Sequence, residues 1–228
     1  MNVEEMINSL PALLGGLAVT LQLVAAALVV GFVIALPTAL ARLSRFALLR
    51  WLSLGYVFSF RGTPLLVQIF LIYYGLAQFE MVRDSALWPI LREPYWCALI
   101  AFALNTGAYS AEVFRGGIMS VPQGQVEAAQ AIGMSPATVF WRVVWPQALR
   151  QALPAYGNEI ILLVKASSLA STVTLMDLTG VARSLAAETY MPIEVFAASA
   201  LIYLALTYLL SRLIMLAEIW LAPKEGRV

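Results

Sequence analysis

Between Glu5 and Arg42 the chain carries no charged side chain. A helix needs about 20 mostly apolar residues to cross the hydrocarbon core of a bilayer, and this stretch is longer than that. Across all 228 residues, 61% are hydrophobic and 12% charged. A soluble domain is about half apolar and about a quarter charged. The surplus exceeds what one buried core can use, so the solvent for much of this chain is lipid. Glu4 and Glu5 precede the apolar stretch, with no Lys or Arg before them. A cleaved signal peptide starts with a basic region and has a shorter apolar run, so the segment reads as a retained span.

Apolar segments of spanning length lie at about 14–41, 52–79, 95–117, 155–176 and 194–219. They predict an all-α membrane protein, a single transmembrane domain over 1–228 with five core helices. The second segment is interrupted by Arg61-Gly62-Thr63-Pro64. Leu65 to Phe79 alone would rise only about 22 Å, so the piece before the interruption is expected to belong to the same helix, with a break. Pro64 removes a backbone donor and biases Thr63 away from the α region.

Basic residues set the orientation. Arg42, Arg45 and Arg50 follow the first span, Arg115, Arg142 and Arg150 surround 118–154, and Arg212, Lys224 and Arg227 lie at the C-terminal end. The alternate loops carry Arg83, Arg92 and Arg183. The positive-inside rule then places the N-terminus outside, the C-terminus inside, and 118–154 in the cytoplasm. Within that loop Glu127 to Ile132 favours helix, Gly133 offers a stop, and Ser135-Pro136 offers a new start with Pro at the first helical position. Two short helices joined at a Gly turn are expected; an ordinary helical hairpin linking two spans fits the same residues. On the other side Asp177 can cap a short helix over 177–190, in which Leu178, Val181, Ala182 and Leu185 form an apolar stripe. Such a helix suits the outer interface, as a gate or as a passive plug.

Ionisable groups inside spans are costly and face the bundle interior or a cavity. Arg61, Glu112, Glu159 and Lys165 qualify. Asn105, Tyr109 and Glu112 recur as one polar stripe on the third span, roughly opposite the small residues Ala103, Gly107 and Ala111. One face suits a wet path and the other close helix packing. Glu112 can instead pair with Arg115 one turn on. On the fourth span, expected to start at Pro154, Asn158 and Lys165 share a face. Glu159 and Lys165 lie about 240° apart and cannot pair along the helix. Lys165 is expected to meet a carboxylate such as Glu112 or one on a substrate. Ser167, Ser168, Ser171, Thr172 and Thr174 follow it and either pack helices or line a route.

Several classes are excluded. Net charge is +1, whereas a nucleic-acid partner needs a basic footprint. One cysteine, Cys97, rules out an internal disulfide and a cysteine-based zinc site, and there is no histidine. No metal site is expected. A phosphate loop needs Gly directly before its Lys, but Lys165 and Lys224 follow Val164 and Pro223. Any ATP-driven step therefore needs another polypeptide.

Glu127-Ala128-Ala129, with Gly133 six residues after the Glu and Pro146 thirteen after the Gly, resembles the "EAA" loop of bacterial ABC-importer permeases. Val143 and Trp145 stand where that family usually has Ile and Leu. The resemblance continues through Phe60-Arg61-Gly62-Thr63-Pro64-Leu65 with Gln68, Tyr73 and Gly75. It covers Asn105-Thr106-Gly107-Ala108-Tyr109 with Glu112 and Arg115-Gly116-Gly117, then Val121-Pro122-Gln123-Gly124-Gln125 and Leu153-Pro154-Ala155-Tyr156-Gly157-Asn158-Glu159. These segments are similar to polar amino-acid permeases, in particular the histidine/arginine/lysine/ornithine and opine branch.

The resemblance implies a type I importer fold in the bacterial inner membrane, with two permease chains around one path, identical or homologous. It implies two ATPase subunits that carry ATP and Mg, an extracytoplasmic amino-acid-binding protein, and no cofactor on this chain. Glu127, Ala128, Ala129 and Gly133 become the ATPase-docking elbow. Arg61, Asn105, Tyr109, Glu112, Asn158, Glu159 and Lys165 become candidates for the substrate path. Glu112 and Glu159 suit a cationic side chain, and Arg61 or Lys165 an α-carboxylate, which fits a basic amino acid or an opine. Equal numbers of acids and bases also admit a zwitterion such as glutamine. A stand-alone secondary transporter would commonly show paired broken helices, and only one broken span is evident. A scaffold without transport leaves the intramembrane charges unexplained.

Overall fold

The computed structural model describes residues 3–221; Lys224 and Arg227, part of the orientation argument, lie outside them. Among the described residues the chain is all helix, without strands. The long elements are α1 (Val3–Arg42), α2 (Ala47–Gly62), α6 (Pro94–Met119), α9 (Trp145–Ala166) and α11 (Pro192–Leu221). Shorter ones are α3 (Leu65–Phe70), α4 (Glu80–Arg83), α5 (Trp88–Leu91), α7 (Gln123–Ala131), α8 (Pro136–Val139) and α10 (Leu178–Thr189). Three helices, α1, α6 and α11, are long and apolar enough to cross a membrane alone. Counting each of two bent pairs as one span gives up to five.

The bent pairs depart from the expected outline. The break expected within 52–79 is present at Thr63-Pro64, but it is a sharp corner: α2 and the segment Leu65–Gln78 meet at 105°. Thr63 and Pro64 are both extended, at ψ 145° and 135°, and two successive non-helical residues turn the chain far more than one missing hydrogen bond would. The fourth helix does not start at Pro154. It begins at Trp145 with Pro154 inside it, continues as a 3₁₀ segment Ser167–Val173, and meets α10 at 50°. The Ser and Thr hydroxyls of that segment bond back to their own helix: Ser167 to Val164 O, Ser168 to Lys165 O, Ser171 to Ser168 O and Thr172 to Leu169 O. Such back-bonding offers the carbonyls an alternative to the α-helical ladder, so this hydroxyl set shapes the backbone.

α6 is the central element, with Phe102, Ala108, Ala111 and Phe114 all nearly inaccessible. Its small-residue face receives α1. A Cβ built on Gly31 would lie 2.4 Å from Thr106 Cγ2, and one on Gly107 would lie 3.1 Å from Ile34 Cγ2. Only absent side chains allow that approach. α6 also contacts α9 closely, where Gly117 sits against the Ala148 carbonyl. The main cluster joins Leu23 and Ala27 of α1, Ile69 of α3, Phe102 of α6 and Val164 of α9. The outward faces remain apolar, with Val33, Leu52, Phe58, Leu204 and Leu213 more than half exposed, as lipid-facing helices require.

Asp177 caps α10 as expected, its carboxylate accepting from Gly180 N–H at 2.9 Å. The predicted stripe faces protein: Leu178 and Ala182 are fully buried against Leu13, Val195 and Ala198. Arg183, off the stripe, donates to the Ser171 carbonyl and ties α10 to the 3₁₀ segment.

Candidate functional site

α7 ends in a Schellman turn. Met134 N–H reaches back to Ala129 O at 3.2 Å, and Gly133 N–H to Gln130 O at 2.9 Å. Gly133 holds φ +85°, the left-handed conformation glycine takes at no steric cost. α8 then starts with Ser135 as N-cap, accepting from Thr138 N–H, and with Pro136 at its first turn. Both short helices form where the sequence places them. Ala129 is 7% exposed and packs with Val139 and Val144 in a small cluster that includes Met134. Glu127 and Ala128 point outward, exposed, as do Ile132 and Trp141. A π-helical turn, Phe140–Val144, joins α8 to α9. The elbow thus has a sealed inner side and an exposed outer side of mixed chemistry.

The second constellation gathers at the broken span. Gln68 Nε2 lies 2.9 Å from Phe60 O and 3.1 Å from Thr63 O, carbonyls near the break. Asn105 of α6 donates to Phe60 O at 3.2 Å and to Gln68 Oε1 at 3.0 Å. In a membrane interior unsatisfied carbonyls cost several kcal/mol, roughly, and these two amides remove much of that penalty. Asn105 is therefore both a brace for the break and, on one edge, a cavity wall.

Two cavities lie beside it. One, of about 380 Å³, is lined by Arg42, Val57, Phe58, Arg61, Tyr109 and Glu112. The other, of about 320 Å³, is lined by Thr63, Leu65, Asn105, Tyr109, Glu159 and Leu163 among others. Tyr109 borders both, and the Arg61 guanidinium lies 5.1 Å over its ring centroid.

The two acids differ in their partners. Glu112 Oε1 accepts from Arg42 Nε at 3.0 Å, and its Oε2 from Arg115 Nε at 2.9 Å and Nη2 at 2.8 Å. The expected pairing of Lys165 with Glu112 is not formed, because two guanidiniums already saturate that carboxylate. Lys165 and Asn158 are exposed, and Lys165 forms no ion pair among the described residues. Glu159 forms none either, although Arg61 lies within electrostatic reach. The structure therefore brings Arg61, Asn105, Tyr109 and Glu159 together, groups Glu112 with Arg42 and Arg115, and leaves Asn158 and Lys165 outside both groups.

Arg42 and Gln68 have site roles that the sequence pattern did not assign. Arg42 reads there only as a flanking charge, because its partner is 70 residues away. Gln68 carried a signal: a lone amide four residues past a helix-breaking proline.

An all-helical bundle with broken spans, a cavity pair lined by ionisable groups and a two-helix elbow with an exposed face is the arrangement of a membrane permease. The chain belongs to the family described as the inner membrane component of binding-protein-dependent transport systems, matched over residues 27–223. It is 51% identical over 224 residues to the nopaline transport system permease protein NocM of Agrobacterium fabrum, covering 98% of this chain and 93% of that one. With the arginine ABC transporter permease protein ArtM of Escherichia coli it shares 42% identity over 214 residues, 93% and 96% of the two chains. Its fold matches a crystal structure of an amino acid ABC transporter with histidines at a TM-score of 0.85 and 36% identity, over 96% and 98% of the chains.

Proposed function

We propose that this chain is the permease subunit of an ATP-driven importer of basic amino acids or opines in the bacterial inner membrane, with its N-terminus outside and its elbow in the cytoplasm. The observation that carries the reading is the elbow: a rigid turn at Gly133 that buries Ala129 and offers Glu127, Ala128, Ile132 and Trp141 to a partner. An ATPase subunit seated there would move α7 and α8, and through the π turn it would move α9, which carries Glu159. The transport path is completed by a second permease chain, two ATPase subunits hold ATP and Mg, and an extracytoplasmic binding protein delivers the substrate. Helix α10 lies in the outer interface.

Substrate class follows from charge. Glu159 lines a cavity without an ion pair, while Glu112 is already held by two guanidiniums, so Glu159 is the acid left to meet a cationic side chain. The relatives named for nopaline and arginine agree with this choice. The test is reconstitution in vesicles with the partner subunits. ATP-dependent uptake of arginine supports the reading. Uptake of glutamine but not arginine would move the substrate to the neutral class, and uptake by this chain alone on an ion gradient would reject the importer assignment.

A further inference from the structure

Arg61 is held weakly for a residue at such a crossing. It is exposed, it has no ion pair among the described residues, and its guanidinium rests on the Tyr109 ring. Stacking of a cation on an exposed aromatic face shifts a population by only about two- to fivefold. Yet Tyr109 borders both cavities while Arg61 lines the first, so the ring with Arg61 on it is the partition between them. Beyond it, Glu159 lines the second cavity and forms no ion pair among the described residues, with Arg61 within electrostatic reach. A weakly held cation, an aromatic face and a carboxylate outside any ion pair form a site in which one cation can replace another.

We propose that the Tyr109 ring is a cation subsite of the path. The side-chain guanidinium or ammonium of a basic amino acid takes the place of the Arg61 guanidinium, held between the ring and Glu159. Arg61, once displaced, turns to the substrate's α-carboxylate. The exchange selects a cationic substrate and opens the partition in one step, because the group that blocks and the group that recognises are the same. This rests on the cationic-substrate reading above and adds the residue that discriminates.

The test is equilibrium binding to the solubilised complex of the permease chains and ATPases, without the binding protein. Three probes are used: arginine, its uncharged near-isostere citrulline, and agmatine, which lacks the carboxylate. In the wild type arginine binds more tightly than citrulline. Tyr109→Leu lowers that ratio by about thirtyfold, the effect of losing a desolvated cation–π contact, whereas Tyr109→Phe, which keeps the ring, retains most of it. An unchanged ratio in Tyr109→Leu, or an equal loss in Tyr109→Phe, overturns the proposal. Should Tyr109→Leu fail to assemble, Arg61→Met decides: agmatine, which needs only the ring and Glu159, binds more tightly once its competitor is gone. Unchanged or weaker agmatine binding overturns the exchange. A complex that binds arginine selectively but shows no ATP-driven uptake would defeat the importer reading and leave the subsite standing. One that takes up arginine with ATP, yet binds it no better than citrulline, would do the reverse.

Discussion

Gly133→Ala isolates one physical quantity. A Cβ at this position would meet nothing within 4 Å, so the substitution brings no steric collision. What remains is the φ of +85°, which costs an L-residue about 1–2 kcal/mol. The opposing resource is small. The turn is closed by two backbone hydrogen bonds, from Gly133 and Met134, each contributing about 0.5–1.5 kcal/mol net, plus the contact of Met134 with the Ala129 cluster. A strain of this size lowers the population of the native elbow by about 5- to 30-fold relative to frayed alternatives. Uptake coupled to ATP hydrolysis should fall several-fold in reconstituted vesicles, while the spanning helices, remote from the turn, insert normally and the chain still purifies with its partner permease. Gly133→Asn is the control, since asparagine is several-fold enriched in the left-handed region, and it should recover most of the coupling. Full coupling in Gly133→Ala, or Asn failing as badly as Ala, would refute the argument that backbone conformation at Gly133 transmits the force.

Other outcomes follow from individual contacts. Gly31→Ala drives a Cβ to 2.4 Å from Thr106 Cγ2 and should destabilise the chain by about 1–3 kcal/mol; adding Thr106→Ser, which removes that methyl, should restore much of the thermal midpoint. Gln68→Leu takes the Gln68 donor from Thr63 O and leaves Phe60 O with the Asn105 amide alone, and should lower stability by about 1–3 kcal/mol, measured by thermal unfolding in detergent. Glu112→Gln leaves Arg42 and Arg115 without their carboxylate, so arginine and glutamine uptake should drop alike, whereas Glu159→Gln should reduce arginine uptake more.

The parts legible in the sequence are those set by local chemistry. Apolar length marks the spans, and Gly133 with Ser135-Pro136 marks the elbow, because a left-handed stop and a capped start are properties of a few adjacent residues. The Asp177 cap is of the same kind. Lengths and bends were less legible. α1 starts at Val3 and α9 at Trp145, well before the apolar cores that reveal them, since helix continues past the membrane wherever tertiary contacts sustain it. Ala148 and Ala152, packed against Gly117, sustain it here. The 105° bend lay beyond a rule that treats proline as a kink. Partners across the bundle were the least legible. Nothing in spacing connects Arg42 to Glu112, and so the stripe from Asn105 to Glu112 reads from sequence as one path-facing surface.

That stripe is divided among different partners, and the division explains why so many charges can stay in an apolar bundle. Burying an isolated ion is far more costly than burying a paired and hydrogen-bonded one. Glu112 with Arg42 and Arg115 is a closed set, satisfied by short contacts, and joins the end of α1 to α6. Asn105 with Gln68 is a second closed set, spent on the carbonyls near the break. Tyr109, between them, belongs to neither set, and Arg61 stacks on its ring from the end of α2. The bend that exposes those carbonyls also places Arg61 at the crossing, since the chain turns immediately after Gly62. A straight second span would carry Arg61 along the α2 axis rather than at a corner. Restoring helix there, by Pro64→Ala, should therefore impair arginine binding as well as stability. Loss of stability with arginine affinity intact would mean that the break and the charge are independent features.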